Sequence, residues 1–338
     1  MHLKKLLITS TIIAATSISN NTVADIKISG EQEWNYLDAG GSFKSTLGSS
    51  TSFTFTGSGD LSNGISYLVK FTLEDGDQSY RAITFDLGSG LKLGIGYDQS
   101  YGIETVKAIS PYVNNRRAHI TGAHRGFPTA ARKPLGPDVW DTSSGENAIG
   151  LSFKNDLAAV SFGFTPVRDV NTSSDAIPTT GASEYGTATS IGVKLTPVDG
   201  LTIGFGTSSE ESDATANSDP KGTTIGFQYK IGSFAIGYQE IENELDDTTT
   251  QRVTTTEIQE GGVAYKVNDA LTIGVFAANI NYLTVNTDNG VETGMGIVQV
   301  GYNLGPAVIQ YDYADGSDLN STKDTEYEIH KVKIKVRF

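Results

Sequence analysis

The sequence contains no cysteine, which excludes a disulfide scaffold and a thiolate metal site. Basic residues are scarce beside acidic ones: 25 Lys and Arg stand against 39 Asp and Glu, and the formal net charge is −14 at pH 7. A chain with this charge has no overall basic surface to neutralise phosphates, which argues against a nucleic acid partner. Two methionines against 38 glycines favour strands and turns over helices.

Histidine is too rare to suggest a catalytic site. After residue 24 only His119, His124 and His330 occur. His119 and His124 stand beside arginines, which disfavour the protonated form that a general base must reach. The sequence has no G-x-S-x-G motif and no histidine pair with metal-binding spacing. We therefore predict no catalytic residue, no metal ligand and no cofactor, and we expect that the protein is not an enzyme.

Long apolar runs are absent after the first 24 residues, so no later segment is a candidate spanning helix. Residues 1–24 combine a basic start, MHLKK, with the thirteen-residue, mostly apolar run LLITSTIIAATSI and a small residue, Ala24. This pattern is typical of a secretory signal peptide cleaved after Ala24. A membrane anchor is the alternative, but the run is shorter than the roughly 20 apolar residues that a spanning helix needs.

One unit recurs along residues 25–338, namely about ten residues of alternating polarity followed by a turn. In ISYLVKFTLE, for example, Ile65, Tyr67 and Val69 share one face, because successive strand residues point to opposite faces. The opposite faces are rich in Gly, Thr, Ser, Gln and Lys. Short turns alternate with long loops, which are predicted near 37–50, 99–145, 167–186, 208–222, 242–256, 281–292 and 315–324.

This pattern predicts an all-β fold: a transmembrane antiparallel β-barrel of sixteen strands, apolar towards lipid and polar towards a water-filled lumen. The predicted strands lie near 25–36, 50–60, 65–74, 79–87, 91–98, 146–154, 157–166, 187–196, 201–207, 222–231, 233–241, 257–267, 271–280, 293–304, 306–314 and 325–338. A secreted β-sandwich is the alternative, but it would need apolar inner faces. Polar faces of Gly, Thr and Lys fit a lumen better.

A receptor or structural barrel without a pore would need a lumen filled by bulky side chains. The predicted inward face instead carries many glycines, which we interpret as open space: Gly94, Gly96, Gly163, Gly192, Gly204, Gly226, Gly237 and Gly274.

The stretch FTFTGSGDLSNGISYLVKFTLE, residues 53–74, resembles the second and third strands of the general diffusion porins of Gram-negative outer membranes. The residues that carry the likeness are Gly57, Ser58, Asp60, Leu61, Asn63, Gly64 and Glu74. Residues 87–98 are similar to the next hairpin of that family, and Phe338 with the alternation before it resembles the family's assembly signal. Ser52 departs from the pattern, because the family usually has an inward arginine there.

The resemblance implies a homotrimer in the outer membrane of a Gram-negative bacterium, surrounded by outer-membrane lipid and lipopolysaccharide and inserted by the barrel-assembly machinery. It also implies a channel for passive diffusion of small hydrophilic solutes and ions. The third loop, here residues 99–145, would fold inward and narrow the pore. A substrate-specific channel for phosphate, organic anions or sugars is the alternative.

The basic residues concentrate in this predicted third loop. Residues 99–141 contain six basic residues against three acidic ones, and four of the eight arginines of the chain. In a narrow, low-dielectric constriction these groups would attract anions and exclude cations, whereas on an exposed loop they would be only a solvated charge run. The predicted constriction residues are Lys107, Arg116, Arg117, Arg125, Arg132 and Lys133.

The chain ends in HKVKIKVRF, which carries a second basic row. Lys331, Lys333 and Lys335 share one strand face and are predicted to line the pore wall, whereas Phe338 closes the lipid face. Other lysines near short turns either form a basic vestibule or only extend to the membrane interface: Lys92, Lys154, Lys194, Lys230 and Lys266. Together these residues predict a channel that prefers anions.

Overall fold

The computed structural model describes residues 25–39, 45–97, 101–106, 109, 147–166, 187–211, 221–244, 253–284, 287–317 and 326–338. Sixteen β-strands occupy most of these residues, each antiparallel to its neighbours. Because β1 also pairs with β16, the sheet closes on itself. The predicted sixteen-stranded antiparallel barrel is therefore confirmed.

The strands are β1 Asp25–Ala39, β2 Thr46–Asp60, β3 Ser66–Glu74, β4 Asp77–Gly88, β5 Leu91–Tyr97, β6 Asn147–Lys154, β7 Ala158–Thr165, β8 Ala188–Val198, β9 Leu201–Glu210, β10 Lys221–Ile231, β11 Phe234–Glu244, β12 Val253–Lys266, β13 Leu271–Thr284, β14 Thr287–Leu304, β15 Ala307–Ser317 and β16 Glu326–Arg337. A short 3₁₀-helix spans Gly102–Thr105. No helix in the described part of the chain has the length and apolar composition that a membrane crossing requires.

The two faces of the sheet differ as the sequence pattern predicts. In β10, Ile225 and Phe227 are exposed, whereas Thr224 and Gly226 are buried. Residues 101–106 and 109 lie on this buried face and meet successive strands from β5 to β11. Neighbouring strands lie about 4.8 Å apart. A segment of this length can therefore reach all the strands from β5 to β11 only along the concave side of the sheet. The buried face is therefore the lumen, and the exposed apolar face is the outside of the barrel.

Several strands extend further towards the long loops than the sequence pattern predicts. The long loop predicted at 281–292 is wrong, because β13 and β14 remain paired up to Leu283 opposite Asp288 and Thr284 opposite Thr287. These strand ends are rich in Thr, Asn and Asp. Backbone pairing continues there although the apolar alternation, which reflects contact with lipid, has already ended.

Candidate functional site

The described part of the third loop lies against a lane of glycines on the lumen wall. The glycines at which an added Cβ would meet this segment are Gly94, Gly150, Gly163, Gly192, Gly204 and Gly206. The Tyr101 ring, for example, lies over Gly150 of β6, and the end of the Ile109 side chain lies over Gly204 of β9. Our interpretation of Gly94, Gly163, Gly192 and Gly204 as open space was wrong, because the chain itself occupies that space.

Hydrogen bonds hold both ends of this segment to the wall. At its start, the backbone N–H of Gly102 donates to the hydroxyl of Ser161 on β7 at 2.8 Å. At its end, Gln239 of β11 accepts from the backbone N–H of Ile109 at 3.0 Å and donates to the carbonyl of Val106 at 3.1 Å. Gln228 of β10 donates to the carbonyl of Ile109 at 3.1 Å. Residues 101–106 and 109 therefore follow a defined path across the wall.

Four side chains of the segment are buried against the wall. Ile103 and Val106 are fully buried, and Ile109 and Tyr101 nearly so. Burial raises the pKa of the Tyr101 phenol to about 12, so the ring remains neutral at physiological pH. The segment thus docks mainly through uncharged contacts.

The lumen wall from β11 to β16 carries an apolar patch that continues from this segment. Its buried inward side chains include Ile241, Ile258, Phe276, Ile280, Ile297 and Ile329, which form one cluster with Val106 and Ile109. The expectation of polar inward faces missed this patch. A signal was present in β13, whose stretch IGVFAANI has apolar residues of both parities: Val275 is exposed and Phe276 is buried.

The predicted pore-wall lysines face the lumen, and carboxylates of β1 pair with two of them. Lys333 lies 2.8 Å from Glu33, and Lys335 lies 2.6 Å from Glu31 and 3.3 Å from Glu33. Lys331 stands opposite Asp312 of β15. The row is therefore a mixed-charge surface, which single-strand analysis missed because its partners lie at the other end of the chain. That this surface lines the conducting pore stays a prediction.

Two of the lysines near short turns also have acidic neighbours. Lys92 lies 3.8 Å from Asp86, and Lys266 lies 2.7 Å from Asp269. The hydrogen bond from Lys266 holds the pKa of the Asp269 carboxyl below its usual value. Since all four side chains are well exposed, these pairs contribute little to stability, but they do balance charge at that end of the barrel.

The six predicted constriction residues, Lys107, Arg116, Arg117, Arg125, Arg132 and Lys133, lie outside the described residues. Within the part of the chain that the structure describes, no group of three or more His, Asp or Glu is arranged to hold a metal ion.

Phe338 lies on the outer face of the barrel at the junction of the first and last strands. Its ring occupies the space beside Gly30 of β1, where a side chain would overlap it. The ring also meets Phe53 of β2 edge-on, with the ring centroids 6.1 Å apart. Its backbone exchanges hydrogen bonds of 2.7 and 3.0 Å with Gly30. The position of Phe338 on the outer face is as predicted, and its role in assembly stays a prediction.

A family model described as Gram-negative porin matches residues 9–321. The chain belongs to the Gram-negative porin family. The fold is the one that the resemblance implied, and membership supports an outer-membrane channel protein. The described start of the third loop lies on the lumen wall, and the course of the rest of that loop stays a prediction. The match ends before β16, so the terminal basic row and Phe338 lie outside it.

Solved porin structures share the fold of this porin at low sequence identity. A porin refined at 1.8 Å is 16% identical, with a TM-score of 0.63 over 93% of this chain and 100% of its own. The anion-selective porin from Comamonas acidovorans is 12% identical, with a TM-score of 0.63 over 93% and 100%. OmpT of Vibrio cholerae in its trimer form is 13% identical, with a TM-score of 0.64 over 93% and 99%. No curated protein sequence matches the chain.

Proposed function

We propose that this porin is a homotrimeric channel for passive diffusion of small hydrophilic solutes and ions, and that it prefers anions. The observation that supports the proposal is a closed barrel of sixteen strands with residues 101–106 and 109 of the third loop docked against its lumen wall. A barrel of this size encloses an aqueous channel, and an inward segment reduces its width without closing the barrel ends.

The anion preference is supported by charge. The third loop carries the six basic residues predicted for the constriction. Charges that line a gap about as wide as the roughly 8 Å screening length at 0.15 M salt act on passing ions, whereas charges on a wide mouth are largely screened. The lysine row of β16 adds little, because Glu31 and Glu33 balance it. The Comamonas acidovorans porin, described as anion-selective, has the same fold.

The test is the reversal potential of purified porin in a planar bilayer under a KCl gradient. We expect an anion preference in the wild type, and a shift towards cations when Arg116, Arg117, Arg125 and Arg132 are together replaced by Gln. The control is Lys221→Gln, which removes an exposed charge at the start of β10. A cation preference in the wild type, or no shift in the fourfold variant, contradicts the proposal.

The trimer is tested separately. OmpT of Vibrio cholerae was solved in a trimer form, and we propose the same assembly here, in outer-membrane lipid and lipopolysaccharide after insertion by the barrel-assembly machinery. We expect a heat-modifiable trimer band on unboiled gels and a mature N-terminus at Asp25, where β1 begins. A soluble periplasmic monomer is the contrary result.

A further inference from the structure

Two lysines of the lumen wall stand side by side across one small residue. Lys154 ends β6 and Lys194 lies in β8, and each is paired in register with Ala159 of the intervening β7. Strands lie about 4.8 Å apart, so the two Cα atoms are about 10 Å apart. The methyl group of Ala159 leaves the space between them open, so the two long side chains can converge above it.

Several other lumen lysines have a carboxylate neighbour, which Lys154 and Lys194 lack within the described part of the chain. Lys92, Lys266 and Lys333 each lie within 4.0 Å of an acidic side chain. Among the residues that the structure describes, neither Lys154 nor Lys194 forms such a pair. Lys194 is also partly buried. A partly buried cation beside a second cation is costly unless an anion compensates the charge.

The position of the lysine pair in the lumen and the hydroxyl groups near it suit the binding of an oxyanion that passes through the channel. Lys194 lies two residues beyond Gly192, on which the backbone of Gly102 rests, so the pair lies directly below the docked segment, on its short-turn side. Ser152 of β6 and Thr196 of β8 lie on the same face, two residues from Lys154 and Lys194 respectively. Their hydroxyls provide hydrogen-bond donors next to the two positive charges.

We propose that Lys154 and Lys194 form a binding site for a small doubly charged oxyanion, of the class of sulfate or hydrogen phosphate. The anion is held by charge-assisted hydrogen bonds from both ammonium groups. It occupies the lumen just past the docked segment and slows the passage of chloride while it is bound. This site rests on the proposed function, because an anion reaches it only through a conducting lumen.

The test measures inhibition of chloride current through the purified porin by added sulfate, with ionic strength held constant. We expect saturable inhibition in the wild type. Lys154→Gln and Lys194→Gln should each raise the half-inhibiting sulfate concentration about fivefold, as expected for loss of one partly solvated ion pair. Lys194→Arg should retain inhibition, because it keeps the charge. Lys230→Gln is the matched control: it removes a lumen-parity lysine near another short turn, outside the pair, and should change nothing.

Two results overturn the site: sulfate that does not inhibit the wild type in a saturable way, and inhibition that Lys230→Gln weakens as much as the pair variants do. Either result is distinct from failure of the proposed function. If the proposed function itself fails, the wild type will conduct no chloride, or its reversal potential will show a cation preference before any sulfate is added.

Discussion

At Gly150 a single methyl group should disturb the docking of the third loop. An added Cβ there would overlap the Tyr101 ring, and overpacking of this kind costs about 1–3 kcal/mol. We expect Gly150→Ala to lower the unfolding temperature of the porin and to change its single-channel conductance. Gly296→Ala is the control, because a Cβ at Gly296 of β14 meets nothing within 4 Å. Equal behaviour of the two variants would contradict the docking described for Tyr101.

Phe338 is the second residue whose loss should have a specific effect. Its ring fills the space beside Gly30 and meets Phe53, so Phe338→Ala removes an aromatic contact across the strand junction. We expect several-fold less folded porin in the outer membrane with unchanged export into the periplasm. Heat modifiability of membrane fractions measures folding, and total processed protein measures export. Phe338→Tyr, which keeps the ring, should behave as the wild type does, and equal yield from Phe338→Ala would reject the role.

Single residues show what the sequence can predict and what it cannot. The faces on which Lys333 and Phe338 lie follow from strand alternation alone. The pairing of Lys333 with Glu33 does not, because these residues are neighbours only after the first strand has met the last. Likewise, Gly150 and its neighbours along the lane mark a surface where side chains are missing, but only the fold shows that Tyr101 covers it.

At the scale of elements, one side chain fixes the end of the docked segment. Gln239 is fully buried and bonds to the backbone of both Val106 and Ile109. In Gln239→Leu both backbone groups lose a partner, and each buried polar group left unpaired costs about 1–3 kcal/mol. We expect much faster hydrogen exchange at the Ile109 amide and more noise in the open-channel current. Gln259→Leu on the exposed face of β12 is the control and should change neither measurement.

The strands themselves could be predicted better than their ends. The apolar alternation located all sixteen strands, because contact with lipid imposes it on each. It failed at the join of β13 and β14, where Leu283 and Asp288 still pair beyond the apolar part of the strands. It also failed on the inner face of β13, where Phe276 and Ile280 pack in an apolar cluster, since water in part of a lumen does not require every inward residue to be polar.

At the scale of the whole molecule, the balance of charge inside the barrel should set the ion preference. Glu31 and Glu33 pair with the lysine row of β16. Replacing both with Gln frees those positive charges, so we expect the reversal potential to shift further towards anions. The shift should grow at low salt, because the screening length rises from about 8 Å at 0.15 M to about 30 Å at 0.01 M. Glu240→Gln, on the exposed face of β11, is the control, and an equal shift there would contradict the argument.

Closure of the barrel depends on the pairing of β1 with β16, which are far apart in the sequence. Arg337 bonds to Glu31, 306 residues earlier in the chain, so the last of the sixteen barrel strands in chain order is the partner of the first. Until it arrives, the sheet has two open edges, and neither edge is tolerated in lipid. The unfinished chain must therefore wait in water, where open edges invite aggregation. The risk of aggregation therefore depends on how long the sheet stays open before β16 pairs with β1. A more stable closed barrel would not shorten that time.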